Sequence, residues 1–180
     1  MNFFESLIQR ASSRSLQRLY GESRYRFFSE NPLFRDLSSQ AQLFLTGRLI
    51  ERHYSNQEII FREGNLGICM FLIRQGSVEL SFGNKGEDDV SYSVLSEGAL
   101  FGEVATVSNN YRTASARAVE NDTTLLLLTQ FDLEDLNGRY PQDGIRLLRG
   151  ITDSVIESLI ATTKALNQKD ERIALLGNSF

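Results

Sequence analysis

Arg112 stands immediately before Thr113-Ala114-Ser115-Ala116, with Ala118 beyond, so a full positive charge enters a strand of small, mostly apolar side chains. An unpaired buried charge is very costly, and the guanidinium therefore needs a partner. Its planar fork matches a phosphate through two parallel hydrogen bonds, so a bound phosphate fits this position well. Upstream, Phe101-Gly102-Glu103-Val104-Ala105 carries complementary parts. Gly102 lets the backbone approach another group closely. Residues 103–107 have the length of one helical turn whose unpaired amide groups face an anion. The alternative is that Glu103 and Arg112 neutralise each other and no ligand is needed.

The elements that must position these residues are legible from periodicity. Val90, Tyr92 and Val94 alternate with Ser91 and Ser93, a period of two that marks a strand. Residues 59–60, 70–73, 78–82, 113–118 and 123–129 read as further short strands, and Asn84-Lys85-Gly86-Glu87 reads as a hairpin turn. Ahead of them, Phe4, Leu7, Ile8, Ala11, Leu19 and Tyr20 fall at helical spacing, and a second short stretch spans Tyr25 to Phe28. Asn31-Pro32 breaks the chain, and Ser38 is placed to cap a helix over 39–49. After Pro141, the spacing of Leu148, Ile151, Val155, Leu159, Thr162 and Leu166 predicts one long helix. The fold class is therefore α+β, mainly β: a jelly-roll β-barrel of about eight strands, with N-terminal helices and a long C-terminal helix. We divide the chain into an N-terminal extension (1–30), a domain (31–166, its barrel over about 48–130 and C-terminal helices over about 131–166) and a tail (167–180).

The stretch FGEVATVSNNYRTASARA resembles the phosphate-binding cassette of cyclic-nucleotide-binding domains, the sensor modules of catabolite-activator-type regulators, cyclic-nucleotide-dependent kinases and gated channels. Gly64, Gly67, Met70, Phe71, Ile73, Gly76 and Val78 are similar to the glycine-punctuated strands upstream of that cassette. The resemblance implies that cAMP or cGMP is the ligand. Arg112 would pair with the cyclic phosphate, and Glu103 would accept the ribose 2′-hydroxyl. Phe101, Gly102, Val104, Ala105 and Ala114 would complete the cradle, while Thr113 would add a hydroxyl to the phosphate or base. In this family the helix after the barrel closes over the base, and Ser154, Ser158 and Thr162 share one face of it. Three positions depart from the family pattern. Tyr111 stands where proline is usual, Ala99 replaces a frequent acid, and Gln57 replaces a turn glycine, with Asn56 the expected left-handed residue instead.

Composition limits the alternatives. Of 180 residues, 41% are hydrophobic and 23% charged, the balance of a globular protein, and the net charge of −4 argues against a nucleic-acid partner. No apolar run reaches the roughly 20 residues that span a bilayer, so no integral membrane segment is expected. The lone Cys69 reads as a core residue in a reducing cytoplasm, and the lone His53 as a surface residue, which leaves no metal site. No nucleophile stands beside a base, so the protein is not expected to be an enzyme. About fifteen residues follow Leu166, too few for a DNA-reading domain, which suggests a stand-alone sensor acting on an unidentified effector protein or as a homodimer through the long helix. Five arginines among residues 1–30 mark either a solvated face or a docking helix. The site arginine is expected to line an open, solvated cavity. An interaction module that keeps the barrel and has lost its ligand is the competing reading, and another nucleotide messenger is a third.

Overall fold

The computed structural model describes residues 22–82, 90–108 and 111–177. The helix read over residues 4–20 and the hairpin turn read at 84–87 lie outside these residues. In chain order come α1 (Glu22–Glu30), α2 (Ser39–Thr46), β1 (Ile50–Tyr54), β2 (Ile59–Phe61), β3 (Cys69–Gln75), β4 (Val78–Phe82), β5 (Val90–Leu95) and β6 (Leu100–Phe101). Then follow α3 (Glu103–Val107), β7 (Ser115–Ala118), β8 (Thr123–Thr129), α4 (Gln130–Arg139) and α5 (Pro141–Gly177). The eight strands form two four-stranded antiparallel sheets, ordered β1-β8-β3-β6 and β2-β7-β4-β5. This is the mainly β jelly roll, helical at both ends, that the periodicity predicts.

The continuous apolar runs of β3 and β8 are explained by burial on both faces. Phe71, Ile73 and Leu125 point between the sheets, where they join Val78, Phe101 and Ala116. Met70, Leu72, Leu126 and Leu128 point the other way, into a layer built from Phe28, Phe34, Phe44, Leu133, Leu147 and Ile151 of the helices and the turn between α1 and α2. Burying one such side chain stabilises by about 1.5–3 kcal/mol. Phe28 of α1 stacks on Phe34 with ring centroids 4.0 Å apart, so α1 is locked to the segment that leads into α2.

Local chemistry sets the helix ends. Ser38 caps α2, accepting from the Ala41 amide, and the helix stops at Thr46, three residues short of the predicted end, because Gly47 takes the C-cap. Thr129 and Asp132 form a capping box that starts α4 directly at the end of β8. Pro141 occupies the first position of α5, where its missing amide hydrogen is not needed, so it begins a helix after breaking one. The helix continues past Leu166 to Gly177. Two expectations are corrected in the turns. Gln57, with φ 69°, is itself the left-handed residue, and Asn56 is not. The strand read from 113 begins at Ser115, since residues 113–114 form a bend beside Arg112.

Candidate functional site

β3, β6, α3 and the segment leading into β7 converge on Arg112. Its backbone is fixed on both sides: the Arg112 amide donates to Asn65 O (2.7 Å), and its carbonyl accepts from the Gly64 amide (2.9 Å). The side chain turns inward and is only 5% exposed. Nη1 donates to Gly102 O at 2.6 Å and Nη2 to Cys69 O at 2.7 Å, with Cys69 Sγ 3.6 Å from Nη2. The guanidinium carbon lies 4.2 Å from the centre of the Phe61 ring and 5.3 Å from that of Phe71. Nε is buried with no hydrogen-bond partner. The expected open, solvated cavity around this arginine is thus corrected to a closed lining of backbone carbonyls and rings.

Close packing explains two glycines. Gly102 has φ 73°, and a Cβ there would lie 2.5 Å from Arg112 Nη1. At Gly67 a Cβ would run into the Ala105 side chain and sit 3.2 Å from the guanidinium. The left-handed Gly102 caps α3, whose first-turn amides, from Glu103 to Ala105, have no carbonyl partner within so short a helix.

The charges at the site are held without being neutralised. Among the described residues no ion pair joins Arg112 to Glu103. Burial is the main influence on both: it lowers the Arg112 pKa, opposed by Cys69 and Glu103, and raises that of Glu103, opposed by its backbone amide and by Arg112. Burial likewise pushes the Cys69 thiol up, against the pull of Arg112.

The remaining predicted residues divide into three groups. Phe101 and Ala105 are buried and serve packing, and Ala114 is buried beside Arg112. Thr113 and Val104 are exposed. Ser154 is half-buried and Ser158 exposed on α5, whose extensive packing is against α4. The Thr162 side chain lies outside the described residues.

The sequence does not show Phe61 at the site, nor that Cys69, which packs partly buried against the inter-sheet core as expected, also accepts from Arg112 through its carbonyl. The available signal for Phe61 was an aromatic ring in a barrel whose β7 presents the small Ser115, Ala116 and Ala118, since Phe61 lies opposite Ala116. His53 is a surface residue, near Glu51 and Thr124.

A family model, the cyclic nucleotide-binding domain, matches residues 51–140, half of the chain. The chain belongs to the cyclic-nucleotide-binding domain family. That family is a regulatory binding module. The cyclic AMP receptor protein of Thermus thermophilus is 34% identical over 111 residues, which cover 62% of this chain and 51% of that protein. The chain therefore spans about half the length of this relative. The crystal structure of the Thermus thermophilus catabolite activator protein aligns with TM-score 0.58 and 31% identity, covering 81% of this chain and 63% of that one. A cyclic nucleotide-binding domain from Methylobacillus flagellatus aligns with TM-score 0.72, covering 85% of each chain, and at 20% identity that likeness is one of fold. Among the described residues no helix is long and apolar enough to cross a membrane, and no cluster of side chains could hold a metal ion.

Proposed function

We propose that this chain binds a cyclic nucleotide monophosphate in the barrel and reports its presence through α4 and α5 to a partner protein, without catalysing a reaction. The observation that carries this reading is the Arg112 side chain: buried, free of any carboxylate ion pair among the described residues, and left with an unpaired Nε. A buried cation of this kind is strongly stabilised by an anion with two adjacent oxygens. Arg112 takes the cyclic phosphate together with the α3 amides, and Glu103 accepts the ribose 2′-hydroxyl. Thr113, on the rim, contacts the phosphate or base. One of Ser154, Ser158 and Thr162 reaches the base when α5 lies over the barrel. We favour cAMP over cGMP, in keeping with the receptor named above. The lone thiol at Cys69 suits a reducing cytoplasm.

The exposed stripe of α5, with Ile145, Leu148, Ile156 and Leu159, supports a homodimer in which two copies pair through this helix. A thermal-shift titration with cAMP, cGMP and cyclic dinucleotides tests the ligand. Binding at 100 times the dissociation constant adds about 2.7 kcal/mol to stability. A shift with none of them returns the chain to the reading of a ligand-free interaction module.

A further inference from the structure

Among the described residues, the groups that hold the Arg112 guanidinium are neutral. Two carbonyls take its Nη atoms and fix its rotation within the plane. The Phe61 face, 4.2 Å from the guanidinium carbon, fixes the tilt of that plane. Phe61 is in turn braced by Phe71 and Phe101, with ring centroids 5.5 Å and 5.9 Å away. A carboxylate in the same place would also hold the arginine, but it would neutralise the charge and compete with an incoming anion. An aromatic face attracts the cation through its quadrupole and leaves the charge uncompensated.

We propose that Phe61 is a positioning residue that keeps the Arg112 guanidinium flat and oriented within the cradle, ready for the phosphate. This role rests on the nucleotide-binding reading above. Arginine has several rotatable bonds, and a fork must be oriented before it can bond two oxygens at once. Phe61 supplies that orientation from β2, where the small Ala116 opposite leaves room for the ring. The residue does not touch the ligand in this account. It acts through Arg112.

Calorimetric titration with cAMP and with cGMP, on wild type and on Phe61→Leu and Phe61→Tyr variants, tests the role. Phe61→Leu should weaken binding about 3- to 20-fold, the range of a partly desolvated cation–π contact. Phe61→Tyr keeps the ring face and should restore nearly all of it. The Arg112 Nε–H resonance, read without nucleotide, should be shifted by the ring in wild type and in Phe61→Tyr, and should move back in Phe61→Leu. If the leucine variant is unfolded, Phe61→Met takes its place in both measurements. A folded Phe61→Leu or Phe61→Met variant with wild-type affinity, or with an unmoved Nε–H resonance, overturns the proposal and leaves the nucleotide reading intact. A wild type that binds neither nucleotide overturns both.

Discussion

Asp143, in the first turn of α5, accepts hydrogen bonds from both the amide (2.9 Å) and the hydroxyl (2.6 Å) of Ser38, the residue that caps α2. The carboxylate is buried, and Arg146 pairs with it at 2.9 Å. The helix ahead of the barrel is thereby tied to the long helix behind it, across the whole β-domain in sequence. Any movement of α5 in response to a ligand must carry this joint along or break it.

Removing the Asp143 carboxylate leaves the Ser38 donors without their partner. Asp143→Ala should lower stability at neutral pH by about 1–3 kcal/mol, read by urea unfolding. Burial alone would raise the carboxyl's pKa, but the Ser38 hydroxyl and amide and Arg146 outweigh it and hold the group below its ordinary value. Its contribution is therefore complete above the unfolded value of about 3.9 and is lost as the pH falls through the depressed folded value. Asp143→Asn should be less sensitive to acid than wild type in that window. An unchanged unfolding midpoint in Asp143→Ala would show that the joint carries no stability.

Glu103 has the opposite sign. Its folded pKa is raised, mainly by burial, so the stability it confers is present below the unfolded value of about 4.3 and is lost as the pH rises through the folded one. A carboxylate accepts the ribose hydroxyl better than the protonated acid, so nucleotide affinity should climb over the same pH range in which stability declines. Glu103→Gln should flatten both trends. Titrations and unfolding curves at a series of pH values measure them, and parallel rather than opposed trends in wild type would remove Glu103 from the site.

Glycines 67 and 102 should tolerate no side chain. In Gly67→Ala the new methyl meets Ala105, which forces α3 away from the start of β3. In Gly102→Ala it meets Arg112 Nη1 and must also adopt a left-handed backbone, itself a cost of about 1–2 kcal/mol. Each variant should bind cAMP at least about tenfold more weakly, equivalent to about 1.4 kcal/mol, while keeping its β-sheet circular dichroism. Wild-type affinity in either would mean that the cradle is looser than this packing requires.

Pairing through α5 predicts concentration-dependent sedimentation, and Leu159, 65% exposed, is the most exposed side chain of its apolar stripe. Leu159→Lys should shift the protein to monomer, because burying an unpaired ammonium opposes pairing. A wild type that sediments only as monomer, with and without nucleotide, contradicts it.

Much of this was legible in the sequence because local rules were obeyed. The Ser38 cap, the strand at Thr123–Thr129 and the short helix Glu103–Val107 all lie where their residues predicted them. Arg112 was legible because a charge among alanines requires an explanation. What could not be read depends on register across the sheets. Nothing along the chain places Phe61 beneath Arg112, which lies on the segment entering β7, or the Cys69 carbonyl against its Nη2. The left-handed Gln57 was misplaced by one residue because side-chain preference favoured Asn56, whereas the turn is set by the Gln57 amide bonding to Ala118 O.

The central claim is that Arg112 is the countercharge of a bound cyclic phosphate. Calorimetric titration of cAMP and cGMP into wild type, Arg112→Lys and Arg112→Ala tests it most directly. Losing one partner of a buried, hydrogen-bonded charge pair costs about 2–5 kcal/mol, so Arg112→Ala should weaken binding roughly 30- to several thousand-fold. Arg112→Lys should fall between, keeping the charge and losing the fork. Because Arg112 also satisfies two part-buried carbonyls, Arg112→Ala should lose some stability, about 1–3 kcal/mol, and circular dichroism must confirm that it stays folded. A folded Arg112→Ala that binds nucleotide as tightly as wild type contradicts the account.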